Sequence, residues 1–119
     1  LTPPKKQSPP PISSDVLRGH LEGIILTLIA EQDRYGYELA REIRTRTDDA
    51  FDMKEATLYS IIQRLEKKEL ITSYIGERSH GGKRRYYRLT PLGKAYLREK
   101  RNEWQTLKRL MAVFMEEST

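Results

Sequence analysis

Cysteine is absent from this 119-residue chain, which removes disulfide scaffolds, thiolate nucleophiles and Cys-ligated metals from consideration. Histidine is nearly as scarce. His20 and His80 are the only two, far apart, and neither stands in a carboxylate–histidine pattern that catalysis or a metal site uses. Acidic residues are plentiful, but their spacing gives no converging pair for acid–base work. The sequence therefore predicts no metal, no cofactor and no enzyme. Long apolar runs are missing too: Ile24 to Ile29, with Thr27 inside it, falls far short of the roughly 20 residues a bilayer span needs. Leu1-Thr2-Pro3-Pro4-Lys5-Lys6 has none of the apolar core of a secretion signal, so the expectation is a cytoplasmic protein with no membrane contact.

What the chain does contain is charge. Charged residues make up 33% against 37% hydrophobic, and 22 Lys or Arg outnumber 17 Asp or Glu for a net charge of +5, which suits an anionic partner without naming one. The length is that of one domain, small enough for pairing with a second copy to complete its burial. Five of the six prolines fall in residues 1–11. A proline-rich arm over 1–12 follows, because each proline lacks an amide donor and clashes with a preceding helical turn. Its two lysines touch a phosphate backbone, or the arm is simply a frayed terminus.

Periodicity then orders the elements. Leu17, Leu21, Ile24, Ile25, Leu28 and Ile29, at spacings of three and four, predict a first helix from an N-cap at Ser13 or Ser14 to about Glu31. Tyr35-Gly36-Tyr37 opens a second helix to about Arg46, with Gly36 supplying a turn or a close approach. A third runs from about Met53 to Lys68, capped by an Asp52 and Glu55 pair, with Leu58, Ile61, Ile62 and Leu65 on its buried face. Residues 70–76 and 84–90 carry β-branched and aromatic types and predict a hairpin whose tip holds Gly81-Gly82. Thr90-Pro91 reads as an N-cap and N1 pair opening a last helix to about Glu117. The fold class is mainly α with a small β-hairpin: a winged helix-turn-helix over 13–90 followed by a long C-terminal dimerisation helix over 91–117.

Charge placement suggests which surface works. From Gly76 to Arg88 the hairpin carries Arg78, Lys83, Arg84, Arg85 and Arg88 against Glu77 alone. Such a tip lies beside phosphates or is a solvated turn. On the third helix Gln63 and Arg64 suit bidentate contact with base edges, Thr57 and Ser60 suit phosphate or base, and Lys54 and Lys67 suit positioning contacts. Glu55, Glu66 and Glu69 should face away from phosphates or serve as caps and helix-surface pairs. Tyr59 is expected to place its ring in the core with its hydroxyl toward phosphate. Strand alternation sends Tyr87 into the core with Leu89 and leaves Tyr86 more exposed with Arg84 and Arg88.

The last helix bears an apolar band in which Leu97, Trp104 and Met111 repeat at seven, with Leu107 and Phe114 alongside. A second copy is the natural cover, with Leu17, Leu21 and Ile24 of the first helix facing the partner's last helix. Two recognition helices then read a pseudopalindromic duplex. Trp104 serves either as packing or, beside its symmetry mate, as a flat wall for an aromatic ligand.

Arg18-Gly19 with Leu21-Glu22, Tyr35-Gly36-Tyr37-Glu38-Leu39, Ala56-Thr57-Leu58-Tyr59 followed by Arg64-Leu65-Glu66-Lys67, and the run Gly81 to Thr90 with Gly93 are identifiable together. They resemble the PadR family of bacterial transcriptional regulators over roughly residues 14–117. The resemblance implies a homodimer, usually a repressor, that binds an inverted repeat through the third helix and the wing, with no catalytic activity. A single terminal helix is similar to that of the compact subfamily. Trp104, fourteen residues after Thr90, matches the tryptophan spacing of a multidrug-responsive lactococcal regulator of that subfamily. That match implies planar aromatic ligands, with Ser14, Leu17, Leu21, Glu103, Trp104 and Leu107 as wall candidates. A rival reading from the residues is a winged-helix protein-interaction or membrane-surface adaptor without specific DNA recognition.

Overall fold

The computed structural model describes residues 11–77 and 82–117. Most of the expected proline-rich arm, and Arg78, Ser79, His80 and Gly81 of the expected hairpin tip, lie outside the described residues. The elements run α1 (Ser14–Leu17), α2 (Leu21–Glu31), β1 (Arg34–Tyr35), α3 (Gly36–Arg46), α4 (Glu55–Lys67), β2 (Ile71–Glu77), β3 (Lys83–Leu89) and α5 (Pro91–Met115).

The single first helix expected from the apolar spacing is broken in two. Gly19 adopts φ +92°, a left-handed conformation that a right-handed helix cannot contain, and Arg18 before it has an extended ψ of 133°. The His20 amide closes the turn on the Leu17 carbonyl at 2.8 Å. Upstream, the Ile12 amide donates to the Ala50 carbonyl at 2.9 Å, so the end of the expected arm is tied to the body.

Ile25, Leu26, Leu28 and Ile29 of α2 meet Leu39 and Ile43 of α3 and Leu58, Ile61, Ile62 and Leu65 of α4 in one core. Leu21 and Leu97, expected at a dimer seam, are buried in that core and are already covered by their own chain. Phe51 and Met53 plug its base from the connection between α3 and α4. Their burial holds the chain extended there, which delays α4 by two residues relative to expectation. Lys54 is the N-cap and makes no side-chain cap bond, and Asp52 instead faces Arg44 at 3.8 Å; the Asp52 and Glu55 pair does not form.

Glu69, with φ +62°, ends α4. Its amide donates to the Glu66 carbonyl at 2.9 Å and that of Leu70 to the Leu65 carbonyl at 3.0 Å. This is a Schellman closure with glutamate in the left-handed position usually held by glycine.

The sheet has order β1-β3-β2, antiparallel throughout, with Tyr74 opposite Tyr86, Ser73 opposite Tyr87 and Arg34 opposite Tyr87 on the other side. Strand β1, too short to show in the sequence, is pinned by buried Arg34. Its guanidinium donates to the Leu28 carbonyl at 2.9 Å, to Glu42 at 3.1 Å and to Glu31 at 3.0 Å. Arg46 joins Glu31 at 2.6 Å, so two arginines and two glutamates lock α2, β1 and α3 together.

The expected exposure of Tyr86 is not found: it is as buried as Tyr87. Alternation does put Tyr86 on the face away from the core. Tyr74 stacks on it there at 5.7 Å and Tyr35 meets it edge-on at 5.5 Å, and these rings cover it.

Thr90 caps α5, accepting from the Gly93 amide at 2.9 Å. The opening of α5 is buried against the body through Gly93, Tyr96 and Leu97. Farther along, Trp104 is 50% and Phe114 76% exposed, so about half the helix stands clear of its own chain.

Candidate nucleic-acid interface

Helix α4 has its apolar face in the core, which turns Ser60, Gln63 and Lys67 outward, all exposed. Lys54 is exposed at its start and Thr57 is half-buried on one flank. Arg64 lies on that same flank. Its Nε pairs with Glu22 of α2 at 3.3 Å, so the guanidinium is held toward α2 rather than set beside Gln63 as expected.

Tyr59 occupies the opposite flank. Tyr59 is 40% exposed and outside the hydrophobic core, a correction to the expectation that its ring lies in the core. The hydroxyl fills the place where a Cβ on Gly36 would stand, so Gly36 serves for close approach of α4 to the start of α3. Its neighbour Tyr35 anchors that start, the Tyr35 amide donating to the Glu38 carboxylate at 3.2 Å.

Across from this flank runs β3. Arg84 lies over the Tyr35 ring at 4.6 Å, and Arg85 donates to the Ser73 hydroxyl at 2.9 Å, which in turn contacts Glu66 at 3.4 Å. Between α4 and β3 opens a groove of about 470 Å³ walled by Tyr35, Tyr59, Gln63, Glu66, Arg84 and Arg85 among others. Lys83 is exposed at the start of the strand. The structure thus gathers Tyr59, Gln63, Arg84 and Arg85 into one place. Glu66, expected to face away from phosphates, forms part of the groove wall. Burial first, and then the Glu66 charge, push the Tyr87 phenol upward.

Sequence reasoning missed the aromatic and cationic ladder that runs from the outer sheet face onto the start of α3. Tyr37 stacks on Tyr35 at 6.3 Å with Arg41 over its ring at 5.7 Å. Arg88 lies over Tyr74 at 4.7 Å and pairs with Asp33 at 3.1 Å, while the Tyr74 hydroxyl donates to Asp33 at 2.5 Å and is raised by that bond. The Tyr-Gly-Tyr run was the only signal, and it reads equally as a helix start.

A second concavity of about 530 Å³ lies at the junction of α2, α3 and α5. Leu17, Ile24, Phe51, Glu103 and Trp104 line it, and His20 meets Trp104 edge-on at 6.3 Å. Of the residues expected around a ligand, Leu17, Glu103 and Trp104 are in its walls. Leu21 lies in the core and Leu107 farther along α5, neither in the lining, and the Ser14 side chain is outside the description.

Residues 25–99, from α2 into α5, match the model of the transcriptional regulator PadR-like family. The chain belongs to this family. A PadR-like regulator of this length has close counterparts. It is 58% identical over 105 residues to an uncharacterized protein of Lysinibacillus sphaericus, covering 88% of this chain and 96% of that one. A transcriptional regulator from Clostridium thermocellum is similar in structure with TM-score 0.80 and 47% identity, over 88% of this chain and 99% of its own. A PadR family transcription regulator from Clostridium difficile gives TM-score 0.74 and 40% identity, over 82% and 99%. The winged-helix fold and the class of transcriptional regulator, rather than enzyme, follow from the family. Among the described residues, no helix is long and apolar enough to cross a membrane.

Proposed function

We propose that this PadR-like regulator is a sequence-specific repressor that binds an inverted-repeat operator as a homodimer. The observation that carries the reading is the meeting of Gln63 on the outward face of α4 with Arg84 and Arg85 of β3 around one groove. An amide suited to adenine edges stands there beside cations suited to phosphate. The test is titration of a fluorescent duplex, recovered by selecting bound fragments from the source genome, against a scrambled duplex at moderate salt. Gln63→Ala is expected to abolish the preference for the selected site, and Arg84→Ala with Arg85→Ala to weaken both duplexes alike. Equal affinity for all duplexes, or none, defeats the operator reading and favours a protein-interaction or membrane-surface adaptor.

Release by a planar aromatic ligand is supported by the apolar cleft beside half-exposed Trp104. Planar aromatic cations are expected to quench Trp104 fluorescence saturably. A panel of such dyes without saturable quenching leaves Trp104 as a packing residue.

A further inference from the structure

Three side chains from two helices converge on the carboxylate of Glu22. The Tyr96 hydroxyl of α5 donates to it at 2.8 Å, Lys68 at the end of α4 reaches it at 3.1 Å, and Arg64 pairs with it through Nε at 3.3 Å. Glu22 is 14% exposed, whereas Arg64 and Lys68 are 55% and 44% exposed, so the acid is the fixed member and the cations are the surface members. Arg64 and Lys68 are four apart and share one flank of the helix whose outward face carries Ser60, Gln63 and Lys67. The Tyr96 ring lies between the same groups, with Lys68 and Lys100 over it at 5.5 and 5.4 Å. Lys100 in turn pairs with Glu103 at 3.4 Å, and both belong to the cleft that holds Trp104.

We propose that Glu22 is a positioning residue for DNA recognition: it withholds Arg64 and Lys68 from phosphates and ties their release to the seat of Tyr96 on α5. The proposal rests on the DNA-binding reading above. Without Glu22, α4 would offer two more mobile cations along the flank next to its outward face. Phosphate contacts of that kind add affinity for any duplex and none for a particular sequence. The present arrangement thus favours discrimination over gross attraction. Burial works against the Glu22 charge, but the bonds from Tyr96 and Lys68 and the fields of Lys68 and Arg64 outweigh it, keeping the carboxyl below the usual carboxylate range. Residues between the cleft and Glu22 are in direct contact, so a ligand that moves α5 has a physical route to the cations of α4.

The test is the salt dependence of binding to a random-sequence duplex, measured on the full chain. Glu22→Gln keeps the shape and the acceptor for Tyr96 while removing the charge. It is expected to raise affinity for the random duplex about three- to tenfold and to steepen the log–log salt slope by about 1 to 2, the yield of one or two added phosphate contacts. Glu69→Gln, which removes an equal charge from the exposed end of α4, is expected to leave the slope unchanged. Adding Arg64→Gln to Glu22→Gln should return about half of the slope change, and adding Lys68→Gln as well the rest. Tyr96→Phe, which retains the charge but removes the hydroxyl, should shift the slope in the same direction by a smaller amount. An unchanged slope in Glu22→Gln, or a change matched by Glu69→Gln, overturns the proposal while leaving DNA binding in place. Failure of the unaltered protein to bind any duplex overturns the DNA-binding reading and this one with it.

Discussion

At Gly93 a methyl group would press on the carbonyl oxygen of Leu70, and that carbonyl cannot retreat, because it already accepts from the Thr90 amide at 3.1 Å and the Thr90 hydroxyl at 3.0 Å. Gly93→Ala is therefore expected to cost about 1–3 kcal/mol as overpacking against fixed backbone. A lower urea midpoint with unchanged slope is the result that checks it. The clash at Gly36 differs, since it involves the far end of Tyr59, a side chain free to swing. Ionisation supplies a second prediction at this scale. Hydrogen bonding from Arg46 above all, aided by its charge and by Arg34, holds Glu31 down at about 2. An unfolded glutamate titrates near about 4.3, so this pair stabilises the fold fully above that pH and its contribution is lost as pH falls toward about 2. Glu31→Gln should thus melt lower than the unaltered protein near pH 6 and lose less of its melting temperature on acidification through that window. Equal acid sensitivity of the two proteins would contradict the assignment. Residue identities told part of this in advance. Alternation placed Tyr86 on the correct face, but its burial depends on Tyr74 and Tyr35, which arrive from other strands and leave no mark on the local sequence.

The two ends of α4 and α5 show how an element can be legible and still be imperfectly built. Thr90 before Pro91 announced its cap in the sequence, and the cap is present. Thr90→Ala should cost about 1 kcal/mol, seen as a fall in thermal midpoint, because the Gly93 amide loses its acceptor. Glu69 gave no such warning. A side chain in the left-handed region costs roughly 1–2 kcal/mol, so Glu69→Gly is expected to stabilise the protein by about 0.5–1 kcal/mol after the greater chain entropy of glycine is set against it. A decrease in stability would mean that the glutamate side chain does more than tolerate the turn. The helices themselves were readable because their apolar spacing is that of a half-buried surface. The break at Gly19 was not, since Leu17 and Leu21 continue the same spacing across it and only the backbone reveals the interruption.

For the whole molecule, the exposed part of α5 is the outstanding feature. Met111 is 42% exposed, and Leu110, Val113 and Phe114 are more so. An exposed apolar band of this kind is the composition of a protein–protein interface, here proposed to be with a second copy. Sedimentation equilibrium is expected to give a dimer, and Leu110→Glu with Phe114→Glu to shift it to monomer without altering the far-ultraviolet spectrum of the winged-helix part. A monomer at micromolar concentration before any substitution would remove the two-fold reading of the operator. Fold class and family could be read from one chain because the buried faces of α2, α3 and α4 are satisfied within it. Leu21 and Leu97 misled for the same reason: an apolar residue at seam spacing looks alike whether its own core or a partner covers it.

Helix α5 spans 25 residues, roughly 37 Å at the usual rise, and is seated on the body mainly near Gly93, Tyr96 and Leu97, with Trp104 against His20 as its last contact. That makes it a lever with a short fulcrum. A tilt of about 5° at the seat carries the far tip through roughly 3 Å over that length. If the chain pairs as proposed, small substitutions under the first turns of α5 are therefore expected to retune the distance between the two α4 helices, leaving the groove between α4 and β3 unaltered.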